Sequence, residues 1–204
     1  MLGNLTNAVH PNPVDDTIPL VLIKLEHALV NLKDIGEGLR REDHALFDKC
    51  IEARIEGDQI HAMMYANECV EIRKLAQHIV SSQYALEQMM LRLQTVSNLS
   101  RILITMSPVV GVLKETRSRL IGIVPSVASS LMEANQLLDK NLKDMGTTTV
   151  QHTPGITCSE EAMKILEEAN FAAEQNIREK FPNIPEDVSG SLMGKNSKPL
   201  KEAV

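Results

Sequence analysis

Apolar residues recur in alternating steps of three and four along two long stretches of the chain. Residues 73–96 read RKLAQHIVSSQYALEQMMLRLQTV, and the row that includes Ile72 is Ile72, Leu75, Ile79, Leu86, Met89, Leu93 and Val96, with Ser82 as its one polar member. That period defines a helix with a narrow, sustained apolar seam. An upstream row, Leu22, Leu25, Leu29, Leu32, Leu39, Leu46, Cys50 and Ala53, keeps the same spacing across gaps at Gly36 and Asp43. It predicts one helix over 18–55, with Gly36 and Gly38 as the place for a bend.

IEGDQ separates the two rows. Gly57 suits the left-handed position that ends a helix, and Asp58 suits the cap of the next. Two long amphipathic helices joined by so short a turn make an antiparallel hairpin. Asp58 to Ser107 contains neither glycine nor proline. This predicts an unbroken second helix about 75 Å long, with Ser107 and Pro108 capping and opening a shorter helix over 108–123. Pro125 opens another, with Val127, Leu131, Ala134, Leu138, Leu142 and Met145 on one stripe and Gly146 at its end.

The remainder reads as punctuation and one further helix. Residues 1–17 form a loose, flexible arm, and GTTTVQHTPGITC (146–158) has no period and reads as a linker. Thr157 with Glu160 makes a capping box. The helix it opens carries Ala162, Ile165, Leu166, Ala169, Ala173 and Ile177 on one face. Residues 186–204 are polar and predicted disordered. The expected fold is all-α: hairpin 18–107, shorter helices 108–145, linker 146–158, and a detached C-terminal helix and motif over 159–185.

Composition narrows the function. The five aromatic residues are Phe47, Phe171, Phe181, Tyr65 and Tyr84, so the core is aliphatic and methionine-rich, as helix–helix packing allows. A net charge of −6 argues against nucleic-acid binding, as does the lack of stacking aromatics. Cys50, Cys69 and Cys158 are widely separated and form no CxxC pair, which favours reduced, buried thiols over zinc or a disulfide framework. No apolar run is long enough to span a membrane. The first residues lack signal-peptide character, and Leu2 rules out myristoylation at that position.

Candidate chemistry is sparse. GEG at 36–38 is a lone fragment of a phosphate loop inside a helix. Asp58 and His61 form one DxxH without the second copy that a di-iron bundle needs, and Asp58 reads better as a cap. Neither Cys50 nor Cys69 has a local base to make it a nucleophile. The expectation is a protein that is not an enzyme, with no cofactor and no metal. A long hairpin leaves apolar surface that its shorter helices cover only in part, and the exposed remainder favours assembly. An intermolecular coiled-coil dimer is the competing reading.

Residues 45–96, ALFDKCIEARIEGDQIHAMMYANECVEIRKLAQHIVSSQYALEQMMLRLQTV, resemble the hairpin of ESCRT-III proteins, and in particular the archaeal CdvB-type cell-division branch. The resemblance rests on the turn at Ala53–Asp58, on YANECVEIRK at 65–74 and on ALEQMMLRLQTV at 85–96. EEAMKILEEANFAAEQNIREKFPNIP at 160–185 resembles the helix after the linker in the same family. The resemblance implies a five-helix, filament-forming subunit. It would constrict or sever membrane in archaeal cell division or vesicle release. Its implied place is the cytoplasm, peripheral at the division-site membrane. Its implied partners are itself, paralogous subunits, the membrane surface and an AAA ATPase whose MIT domain grips the tail. The alternative is a soluble helical adaptor that forms no polymer.

The expected ATPase-binding residues are Phe181, Pro182, Ile184 and Pro185, which look like a short version of the family's proline-containing tail motifs. Proline pre-sets an extended form there; the plainer reading is that Pro182 stops a helix and Phe181 packs locally. Leu166, Ala169 and Ala173 form a rival docking face. Candidate membrane contacts are Lys24, Lys33, Arg40 and Arg41. Residues 18–56 hold six basic and eight acidic side chains, however, so a recruiting partner is expected. Six acids in 160–179 oppose nine basic residues in 73–145. That predicts a C-terminal helix folded back on the hairpin, restraining polymerisation.

Overall fold

A computed structural model describes residues 13–95, 99–144 and 159–184. Every regular element among them is a helix: α1 (Pro13–Ile55), α2 (Gln59–Gln94), α3 (Leu99–Leu120), α4 (Pro125–Asp144) and α5 (Glu160–Lys180). The expectations placed on residues 1–12, Val96, Met145, the 146–158 linker, Thr157, Cys158, Pro185 and the 186–204 tail lie outside the described residues.

Two boundaries differ from the pattern-based reading. α1 begins at Pro13, not at 18, and continues through Pro19; Pro13 is preorganised for a first helical position. The second difference is larger. The expected unbroken helix to Ser107 is instead α2 ending at Gln94 and α3 beginning at Leu99. Pro108 does not open a helix but lies buried inside α3. Freedom from glycine and proline permits a helix without requiring one. A proline inside a helix is tolerated when packing outweighs the lost bond.

The chain divides into two compact units, one drawn from Met1–Asn31 and Ala85–Glu167, the other from Leu32–Tyr84 and Glu168–Val204. The first is a helical bundle. α1 contributes Val21, Leu25, Ala28 and Leu29, α2 contributes Leu86, Met89 and Leu93, and α5 contributes Ala162, Ile165 and Leu166, all buried. α3 and α4 pack closely on each other, burying Met106, Val109, Leu113 and Leu120 of one and Val127, Leu131, Ala134 and Leu138 of the other. Ion pairs Lys24–Glu133 (2.6 Å) and Lys114–Asp139 (3.7 Å) lie at its surface. Ser159 caps α5, its Oγ accepting the Ala162 amide at 3.2 Å. The cap was expected at Thr157.

The second unit holds the hairpin. Gly57 adopts φ 78°, the left-handed conformation that glycine takes without a Cβ penalty. Asp58 Oδ1 accepts the His61 amide at 3.1 Å, so the turn and cap read from the sequence are present. Ile72 and Ile79 are buried and Leu75 is half-buried. Ser82, the polar member of the row, is also buried; its Oγ donates to the His78 carbonyl at 2.8 Å. α1 is helical straight through the two glycines. Gly36 has a packing role: a Cβ there would lie 3.1 Å from Gln83 Nε2. That amide donates to the Leu32 carbonyl at 2.8 Å.

Candidate functional site

Near the turn the seam changes character. Cys50 and Ala53 of α1 meet Ala62 and Ala66 of α2 in a small-residue cluster. The Cys50 thiol donates to the Ala62 carbonyl at 3.3 Å. Small side chains let the helix backbones approach, but they bury little apolar area of their own. Tyr65 and Ile184 pack against this cluster. Ile184 therefore brings the segment after α5 to the hairpin turn.

About two turns further along the seam, Asp43 is completely buried. Arg73 meets it in a paired fork, Nε to Oδ1 at 2.7 Å and Nη2 to Oδ2 at 2.9 Å. A buried carboxylate needs such a partner, because its desolvation is otherwise uncompensated. The Arg73 guanidinium also lies over the Phe181 ring, 5.8 Å from its centre. Phe181 itself is only 8% exposed. Cys69 lies beside this pair, and burial, followed by the Asp43 charge, pushes its thiol up to about 11.

α5 is placed on the hairpin by more than Phe181. Ala169 and Ala173 are buried. The Ser81 hydroxyl donates to the Asn170 side-chain oxygen, and the Asn176 amide donates to the Tyr84 hydroxyl at 3.3 Å. The expected fold-back of the C-terminal helix is thus present. Its named contacts are apolar, amide, hydroxyl and cation–ring contacts, whereas the charge pattern had suggested opposed ionic surfaces.

The predicted site residues are distributed as follows. Phe181 is buried, Pro182 is half-buried and Ile184 is partly buried on the hairpin; the rival face of Leu166, Ala169 and Ala173 is also buried. Of the candidate membrane contacts, Lys24 is paired with Glu133 and Arg40 with Glu37 (2.7 Å), while Lys33 and Arg41 are exposed. Asp43 and Arg73 were missed as a pair. Their signal was the acidic residue at a seam position, which demands a cation across the seam.

Among the described residues, no cluster of side chains has the makings of a metal site, and no helix is long and apolar enough to cross a membrane. A glycine-turned hairpin, a bundle of shorter helices and a C-terminal helix laid on the hairpin form an ESCRT-III-like subunit. The chain is 38% identical over 159 residues to cell division protein B1 of Sulfolobus acidocaldarius, covering 78% of this chain and 74% of that protein. It is 30% identical over 189 residues to cell division protein B of the same organism, covering 89% and 72%, and 27% identical over 122 residues to its cell division protein B3, covering 57% and 68%. No protein-family profile matches the chain, and no solved structure matches it. The chain belongs to the CdvB-type family of archaeal ESCRT-III cell-division proteins.

Proposed function

We propose that the protein is a filament-forming ESCRT-III subunit that remodels, constricts or severs membrane in archaeal cell division or vesicle release. It acts without a catalytic centre of its own, at the cytoplasmic face of the division-site membrane. Partner paralogues supply most of the membrane attachment, because α1 carries an acidic balance and two of its candidate contacts are ion-paired. An MIT-domain AAA ATPase takes hold of Phe181, Pro182, Ile184 and Pro185 and disassembles the polymer.

The observation that carries this reading is the packing of α5 and Ile184 on the hairpin. It describes a closed subunit. Phe181 and Ile184 are occupied by the protein's own hairpin, so α5 must leave before they are gripped. Release also uncovers the small-residue cluster and the Asp43–Arg73 pair, making surface available to other subunits.

Sedimentation and electron microscopy, with and without liposomes, test the proposal on the full chain and on a chain ending at Gly146. The expected result is filaments in both, at a lower protein concentration for the truncated form. Equal thresholds remove the restraining role of α5. Monomers throughout, alone and with paralogues, leave the soluble adaptor as the function.

A further inference from the structure

One face of α1 is apolar, exposed and unused by the bundle. Leu20, Ile23 and Val30 are 45%, 51% and 51% exposed, and with His27 they form a helical stripe about 15 Å long. Glu26, also exposed, borders it. Lys24 points elsewhere, to Glu133.

The same bundle contains a surface of opposite sign. A groove between α3 and α4 is lined on its apolar side by Leu113, Ile121 and Met132, with Ile121 56% exposed. Lys114 and Arg117 are the charged side chains that line it. Lys114 is held 3.7 Å from Asp139, whereas Arg117 has no carboxylate partner among the described residues. The groove segment from Leu113 to Ile121 is about 12 Å long, close to the length of the stripe.

We infer that the α1 stripe of one copy docks in the α3–α4 groove of the next. Ile23 and Val30 meet Ile121 and Met132, and Glu26 faces Arg117. Repeated from copy to copy without closing, this contact is heterologous and propagates head to tail. This deepens the filament proposal by naming a contact between subunits, and it leaves α5 free to act separately as a restraint.

The test is sedimentation velocity on the full chain, with circular dichroism confirming native helix content in every variant. Ile23→Asp and Arg117→Glu are each expected to raise the assembly concentration roughly ten-fold, as loss of a central interface contact does. Combining Arg117→Glu with Glu26→Lys in one chain is expected to restore assembly to within about three-fold of wild type. Wild-type thresholds in both single variants, or no recovery in the charge-swapped chain, overturn the contact while the filament proposal stands. A wild-type chain that never assembles overturns both. If Ile23→Asp assembles normally but no longer sediments with anionic phosphatidylglycerol vesicles, the stripe is a lipid surface and the contact is wrong.

Discussion

The Arg73 guanidinium holds the buried Asp43 carboxylate through two parallel hydrogen bonds of 2.7 and 2.9 Å, and lies over the Phe181 ring. One arginine thus joins α1, α2 and the segment after α5. Phe181 shields the pair from water, which strengthens its attraction.

Removing one partner leaves the other buried and uncompensated. Asp43→Ala and Arg73→Ala are each expected to cost about 3–5 kcal/mol. Exchanging both for apolar residues of similar volume is expected to cost far less, since such replacements of buried pairs are often neutral. Urea melts of the two single variants and of Asp43→Leu/Arg73→Met check this. Equal losses in single and double variants exclude an uncompensated charge as the cause.

Phe181→Ala with Ile184→Ala is expected to loosen α5 as well as weaken ATPase binding. Both side chains pack on the hairpin, and burying a phenylalanine contributes about 1.5–3 kcal/mol. Amide exchange across 168–180 is therefore expected to quicken by more than ten-fold. Unchanged exchange there separates α5 from these two anchors.

In the bundle, Leu86 and Leu93 are 0% and 1% exposed. Leu→Ala at either is expected to cost about 2–5 kcal/mol through lost burial and the cavity left behind. Neutral melts at both positions would remove them from the core.

Cys69 supplies a pH prediction. Its thiol titrates near 11 in the folded protein, against 9.0 ordinarily, because burial disfavours the thiolate and Asp43 adds to the effect. Below pH 9 both folded and unfolded chains keep the proton. Between pH 9 and 11 the unfolded chain releases it and the folded chain does not, so this contribution to stability falls as pH rises. Cys69→Ala is expected to flatten that part of the pH–stability curve. Iodoacetamide at pH 8 is expected to spare Cys69 until urea unfolds the hairpin, as mass spectrometry of tryptic peptides reads directly. Rapid labelling of the native protein contradicts the buried, protonated thiol.

What the sequence determined by itself is local chemistry and long periodicity. Gly57 and Asp58 specify the hairpin turn because left-handed backbone and helix capping are decided within a few residues. The rows through Leu25, Ile79 and Leu86 specify helices with one buried face, because apolar spacing sets which side turns inward. The α5 stripe was legible for the same reason. Tertiary structure decided what such patterns leave degenerate. It ended α2 at Gln94 and kept Pro108 inside α3, because the cost of a helix break is set against packing partners distant in sequence. It set Ala62 and Ala66 against Cys50 and Ala53 near the turn, two alanines too weakly hydrophobic to mark a period in α2. It paired Asp43 with Arg73 and laid Phe181 over them, contacts whose energy exists only once three separate segments have excluded water from one place.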